Sequence, residues 1–341
     1  MQTIILTASS ILLASLLAAP GHRKIAPSLG GATSWVNSKP LNLADLRGKL
    51  VLVDFWTYTC VNWRRTLPYV RAWASKYKDQ GLVVIGVHTP EFSFEYKVGN
   101  VSREIKSMDI SYPVALDNSY AIWHSFHNEY WPALYLIDGK GEIRYQKFGE
   151  GDYEKTELEI QKLLKEAQAK NVSVELVQLH PDGFEAAADW EQLQSPENFL
   201  GYERTQGFAS PEKVTVDKQS LYSVPPQLKL NAWGVSGAWI IKKESVLSVG
   251  PGGKMIYRFH ARDLNLIMGT AQPGTSMRFR LLIDGKPPGP AHGIDVDANG
   301  NGKLIEQRMY QLIRQRDPVM DRIFQIEFSE PDAEVFDFTF G

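Results

Sequence analysis

The 341-residue sequence has a single cysteine, Cys60. That scarcity excludes an intrachain disulfide, a zinc site built on several cysteines, and any dithiol cycle completed within one molecule. A cationic excess is also lacking. Lys and Arg number 37 against 39 Asp and Glu, for a net charge of −2. A nucleic-acid binder needs a basic footprint, so nucleic acid is not an expected partner, and neither is polybasic attachment to a membrane surface. His88, His124 and His127 lack metal-ligand spacing, and no metal or cofactor is expected. Only one stretch is long and apolar. Thr3–Ala19 carries no charge. As a helix it would reach roughly 25 Å at about 1.5 Å per residue, short of a ~30 Å hydrocarbon core. Ala18, Ala19 and Pro20 close it like a cleavage region. Residues 1–24 therefore read as a signal peptide or membrane anchor, which predicts a periplasmic or otherwise extracytoplasmic protein.

What is present is enough for two domains at about 150 residues each. From Leu50 to Leu164 strand and helix patterns alternate. Leu50–Trp56 and Leu82–Val87 are continuous apolar runs, as strands buried on both faces require. Between them Trp63, Leu67, Val70 and Trp73 recur at helical spacing, and Gly81 breaks the helix. Helices are predicted over Phe94–Ser107, Asn118–Phe126 and Tyr153–Ala169. Strands are predicted at Tyr112–Leu116 and Ala133–Ile137, the latter turning at Asp138-Gly139-Lys140-Gly141 into a hairpin partner, Ile143–Phe148. This βαβαββα order predicts a three-layer α/β domain over residues 25–169. Residues 170–196 read as a connector with a short helix near Glu185–Leu193. Residues 197–341 show short alternating runs: Gln227–Trp233, Ala238–Ile241, Met255–His260, Leu264–Met268, Met277–Ile283 and Phe324–Phe328. An all-β, jelly-roll-like sandwich is expected there.

Cys60 falls between the first strand and the first helix. A helix N-terminus stabilises a thiolate through its unpaired N–H groups and the macrodipole. Arg64 and Arg65, in the first turn, are expected to add positive potential. Asp54, in the buried strand, should have a raised pKa and is a candidate proton carrier.

The run Val53-Asp54-Phe55-Trp56-Thr57-Tyr58-Thr59-Cys60 resembles the active-site approach of thioredoxins. Asp54 stands where those proteins carry a buried acid, and Pro68 where they kink the active-site helix. Trp131-Pro132 precedes the next strand, like their cis-proline, which lays backbone beside the thiol. The segments Phe55–Asn62, Arg65–Val70 and Gly86–Phe92 are similar to the extracytoplasmic part of DipZ-type cytochrome c biogenesis proteins, within the TlpA/ResA-like thiol–disulfide oxidoreductases. Ser195–Gly201, Arg308–Leu312 and Phe336–Gly341 are similar to the β-sandwich that follows in that group. The resemblance implies a thioredoxin-like domain followed by a carbohydrate-binding-module-like sandwich. It implies Cys60 as nucleophile, Pro132 as substrate-backbone contact, and Asp54 and Glu91 as proton-handling acids. Trp56, Asn62, Trp63 and Arg64 are the expected neighbours. One departure is decisive. The group has Cys-x-x-Cys, and this chain has Cys60-Val61-Asn62-Trp63. A tryptophan cannot resolve a mixed disulfide, so an external thiol or a membrane electron donor must. The indole is free in principle to shield the thiol or stack on a partner.

The expected function is that of a monothiol oxidoreductase homologue acting on protein disulfides or thiols. Two alternatives stand beside it: a redox-inactive module binding protein or glycan, and a monothiol peroxidase, since Thr57-x-x-Cys60 matches part of the peroxiredoxin pattern. Trp190, Phe199, Tyr202, Trp233 and Trp239 are candidates for a sugar-stacking platform. Asp295-x-Asp297-x-Asn299-Gly300 fits a calcium-loop expression, but Pro287, Pro288 and Pro290 block an entering helix, and Asn299-Gly300 reads equally as a hairpin turn.

Overall fold

The computed structural model describes residues 24–272 and 274–341. The Thr3–Ala19 run, and the signal or anchor expected of it, lies outside the described residues. Among the described residues no helix is long and apolar enough to cross a membrane.

The first unit comprises β1 (Lys24–Ile25), β2 (Ser34–Val36), β3 (Leu50–Trp56), α1 (Val61–Lys76), β4 (Leu82–His88) and α2 (Val98–Ser107). It continues through β5 (Val114–Leu116), α3 (Ala121–Phe126), β6 (Ala133–Ile137), β7 (Glu142–Phe148) and α4 (Tyr153–Glu166). One seven-stranded sheet has the order β1-β7-β6-β3-β4-β5-β2. β3, β4 and β5 run parallel, and β6 lies antiparallel on the other side of β3. All seven residues of β3 are buried, which explains its unbroken apolar pattern. Asp54 is the exception in that run. The apolar stripe of α1 packs Trp63, Leu67, Val70 and Trp73 into the core. Pro68 lies inside α1 and offers no N–H to the carbonyl one turn back. Gly81, at φ 99°, takes the left-handed turn that leads into β4.

The thioredoxin-like α/β prediction holds, with local differences. The edge strands β1 and β2 are only two and three residues long, too short to show a period. The helix expected from Phe94 is a short 3₁₀ turn, Ser93–Tyr96, followed by α2. In the connector the only helical turn is Gly183–Glu185. The helix predicted near Glu185–Leu193 does not form. Side chains of α1 instead fix the short turn: Arg71 pairs with Glu185 at 2.7 Å, and Arg64 lies over the Phe184 ring at 5.2 Å.

The second unit is all-β. It contains β8 (Asn198–Phe199), β9 (Gln219–Tyr222), β10 (Trp233–Ile241), β11 (Val246–Ser248), β12 (Lys254–Phe259) and β13 (Asp263–Thr270). These are followed by β14 (Met277–Ile283), β15 (Asn301–Leu304), β16 (Arg308–Arg314), β17 (Arg322–Phe328) and β18 (Ala333–Phe340). They form one 11-stranded antiparallel sheet that curls on itself. β10 makes the fold-over. Trp233–Ser236 pairs with β12, whereas Gly237–Ile240 pairs with β9. Gly237, at φ 94°, sits at the change of partner. The two halves enclose a core that includes Trp233, Trp239, Tyr257, Phe324 and Phe338. Of the predicted run Gln227–Trp233 only Trp233 is strand. Asn231, at φ 64°, turns the chain just before it, and Pro225 and Pro226 withhold ladder donors.

The two units share a core. Ile267, Met309 and Phe336 of the β unit join the apolar cluster of the α/β unit. Phe336 meets Phe94 at 4.8 Å and Phe92 at 5.5 Å between ring centroids. Burying each such ring stabilises by roughly 1.5–3 kcal/mol. Polar bonds frame this patch. Arg103 pairs with Glu306 at 2.7 Å, Arg204 with Glu91 at 3.0 Å, and Arg65 donates to the Phe340 carbonyl at 3.1 Å.

Candidate active site around Cys60

The register of β3 delivers Cys60 to the end of the sheet, where it is the N-cap of α1. It is half-buried. Its thiol Sγ lies 3.9 Å from the carbonyl oxygen of Trp131, and the Trp131-Pro132 peptide is cis. Cys60 and the Trp131-Pro132 peptide therefore meet at one end of the sheet, where α1 begins with Val61, Asn62 and Trp63. Asn62 is occupied. Its side-chain oxygen accepts from Arg65 at 3.3 Å and its carbonyl from Thr66 at 3.1 Å.

Trp63 is fully buried and turned inward, so it neither shields the thiol nor offers a face to a partner. Its ring stacks on Trp56 at 4.2 Å with planes 20° apart. Its indole N–H donates to Asp54 Oδ2 at 3.0 Å. The other Asp54 oxygen has no donor. Burial pushes the Asp54 carboxyl up to about 7, with the indole bond pulling weakly the other way. The bond Asp54 makes is to the residue that stands in place of a second cysteine, not to Cys60. Trp56 also edges onto His88 at 4.8 Å, and burial depresses His88 to about 3, so that ring is neutral.

The arginines do not supply the positive potential expected of them. Arg65 is committed to Glu150 at 2.9 Å and to Phe340. Arg64 turns to Phe184, away from the thiol. What acts on Cys60 is burial first, opposed by the N–H groups of Trp63 and Asn62, and then the negative charges of Glu197 and Glu91. The thiol is pushed well above its ordinary value and rests protonated at neutral pH.

Glu91 is where the sequence places it, on the loop after β4, and its carboxylate pairs with Arg204 of the β unit. Burial and the nearby Glu197 push Glu91 up to about 7. The residue that organises this loop is Glu95, which sequence reasoning missed. Its carboxylate accepts from the Thr59 hydroxyl at 2.7 Å and from the N–H groups of Glu91 and Phe92 at 2.6 and 3.0 Å. Glu95 thus ties the Glu91 loop to the residue before Cys60. Burial pushes it, too, up to about 7. A Glu in a single 3₁₀ turn opened by Phe92 rather than Ser or Thr carries no signal of such a role in the sequence.

The other candidates disperse. Trp233 and Trp239 are core residues, and Phe199 lies under the Arg204 guanidinium at 3.4 Å. Only Trp190 and Tyr202 of the five aromatic residues stay exposed, and no platform forms. Asp297 accepts from the backbone of Asn299 and Asn301 and closes the hairpin turn, while Asp295 pairs with Arg308 at 2.6 Å.

Residues 24–146 match the AhpC/TSA family, and residues 195–341 match the thioredoxin like C-terminal domain. Protein DipZ of Mycobacterium tuberculosis is 39% identical over 269 residues, covering 77% of this chain and 37% of DipZ. The chain thus matches little more than a third of that relative's length. The thiol-disulfide oxidoreductase YkuV of Bacillus subtilis is 29% identical over 146 residues, 43% of this chain and 98% of YkuV. ResA of Bacillus cereus, also a thiol-disulfide oxidoreductase, is 29% identical over 128 residues, 38% of this chain and 71% of ResA.

Proposed function

We propose, from the similarity to DipZ over 77% of this chain and to ResA over 38% of it, that this is an extracytoplasmic monothiol oxidoreductase with a thioredoxin-like fold. The Cys60 sulfur attacks a protein disulfide, one S–S bond forming as the other breaks and the partner's second sulfur leaves with the proton, and an external thiol or a membrane electron donor resolves the mixed disulfide. The observation that carries this reading is the position of the Cys60 sulfur. It sits at a helix N-terminus, half-buried, against the backbone of the cis Trp131-Pro132 loop. An extended partner segment laid along that loop brings its own sulfur to Cys60. Glu91 and, ahead of it, Glu197 are the acids whose charge acts on the thiol. Asp54 acts through the Trp63 indole and holds α1 and β3 together.

A redox-inactive binding module is the second reading, and the complete absorption of Trp63 into the core favours it. A glycan ligand would have to rest on Trp190 and Tyr202 alone. The test uses the full chain with a glutathione-coupled disulfide substrate, and intact mass to follow Cys60. The expected result is a rate that keeps climbing above pH 8, with a transient adduct on Cys60, both lost in Cys60→Ser. Turnover unchanged by Cys60→Ser would refute the monothiol reading.

A further inference from the structure

The β unit places charged groups over Cys60 that the α/β unit alone does not have. A bulge shifts the pairing of β13 and β18 between Ile267 and Met268. Because of it, Val335 and Phe338 enter the β core while Phe336 leaves it for the shared core. Asp337, opposite Ile267, faces the same way and is fully buried. No N–H or O–H donor reaches either Asp337 oxygen. What lies within hydrogen-bond reach is another carboxyl, that of Glu197, just ahead of β8, the strand paired with β18. Two carboxyls share such a contact only if one carries a proton. Glu197 is itself exposed. Glu91 comes from the other unit, and Arg204 is bound to Glu91 and stacked on Phe199. The charges felt at the thiol are those of Glu197 and Glu91, and the Arg204 guanidinium is committed to Glu91.

We propose that Glu197 and Asp337 make the second domain an acidic wall of the Cys60 site, selecting partners that carry a cationic group next to the reacting sulfur. This deepens the monothiol reading and rests on it. A cation seated against the exposed Glu197 compensates a carboxyl whose buried partner, Asp337, has no N–H or O–H donor. It also offsets the charge that opposes ionisation of Cys60. In the exchange, Cys60 gives up its thiol proton and its sulfur displaces one half of the partner disulfide. One S–S bond forms as one breaks, and the departing sulfur takes the proton. No outside oxidant or reductant is needed.

The test offers the full chain three small disulfides: cystamine (cationic), bis(2-hydroxyethyl) disulfide (neutral) and dithiodiglycolate (anionic). The mixed disulfide on Cys60 is timed by intact mass at pH 8. Each rate is divided by that of free glutathione with the same reagent, which removes intrinsic reactivity. Cystamine should exceed the neutral disulfide by about tenfold at low salt, and the anionic reagent should fall below it. In ~1 M salt, where the screening length is about 3 Å, the preference should shrink to less than threefold. Glu197→Gln should cut it several-fold at unchanged circular dichroism. Equal normalised rates for the three, or a preference untouched by Glu197→Gln, overturn the acidic wall and leave the monothiol reading standing. Failure of all three to modify Cys60 overturns both.

Discussion

The buried Asp54 makes the stability of the α/β unit depend on pH in a direction opposite to most carboxylates. Its carboxyl stands near 3.9 in an unfolded chain and at about 7 in the fold, because burial disfavours its charge. Between those values the folded state holds a proton that the unfolded state has released. Stability contributed by this group is therefore present at low pH and lost as pH rises toward 7. A shift of about 3 units at about 1.4 kcal/mol each is worth about 4 kcal/mol, of which roughly 3 kcal/mol falls between pH 4.5 and pH 8. Asp54→Asn removes the titration and keeps an oxygen for the Trp63 indole, now 3.0 Å from Oδ2. The amide introduces its own unsatisfied N–H, but that cost does not vary with pH. Urea unfolding of both proteins, followed by tryptophan fluorescence from pH 4.5 to 8, reads the difference. Glu91 and Glu95 titrate in both proteins and cancel, since the Asp54 shift has only burial and the indole behind it. Asp54→Asn should gain about 3 kcal/mol on the parent across that range. A flat difference would refute the account of Asp54 as an uncharged, desolvated group held behind Trp63.

Two further substitutions probe the frame around the thiol. Arg65→Ala leaves Glu150 nearly buried without its cation and frees the Phe340 carbonyl across the domain boundary. It should cost about 3 kcal/mol and split one calorimetric transition into two, and a single transition at unchanged Tm would count against coupling through Arg65. Trp63→Cys restores a Cys-x-x-Cys pair but empties the space under Trp56, at a cost of roughly 3–5 kcal/mol. If the folded variant, counted at two free thiols, reduces insulin with a dithiol reductant, the rest of the site is competent. Two thiols without activity would show that more than the second cysteine has been lost.

The sequence made much of this legible, for definite physical reasons. β3 is buried on both faces, so its apolar run marks the strand and therefore the strand–helix corner that holds Cys60. The burial of Trp63 was also readable. It opens the stripe Trp63, Leu67, Val70, Trp73, and that period argues for a core residue whatever stands at the position in dithiol proteins. Asp337 was not readable. In Phe336-Asp337-Phe338-Thr339-Phe340 strict alternation sends the acid to solvent. The face it occupies is covered only because the other unit packs there, and Phe336 follows it through a bulge that no local signal announces. Arg64 and Arg65 failed as electrostatic partners for a similar reason. Their position in the chain is beside Cys60, but long side chains go where tertiary partners are, here Phe184, Glu150 and the Phe340 carbonyl.

The state of the thiol follows from a contest that can be weighed. A helix N-terminus favours an anion by about 0.3–1 kcal/mol near the surface and up to about 2 kcal/mol when partly buried. Against it stand burial and two carboxylates, Glu197 and Glu91, and these win, so Cys60 rests as a thiol. In a dithiol protein a second cysteine limits how long the first stays tied to a partner. With Trp63 locked between Trp56 and Asp54, nothing in this chain can take over that task. On the monothiol reading both ends of the cycle are then set from outside. Entry depends on a partner that turns the thiol into a thiolate, and release depends on a thiol that reaches the mixed disulfide. The second domain bears on the first of these steps, because Glu197, whose charge opposes ionisation of Cys60, belongs to it.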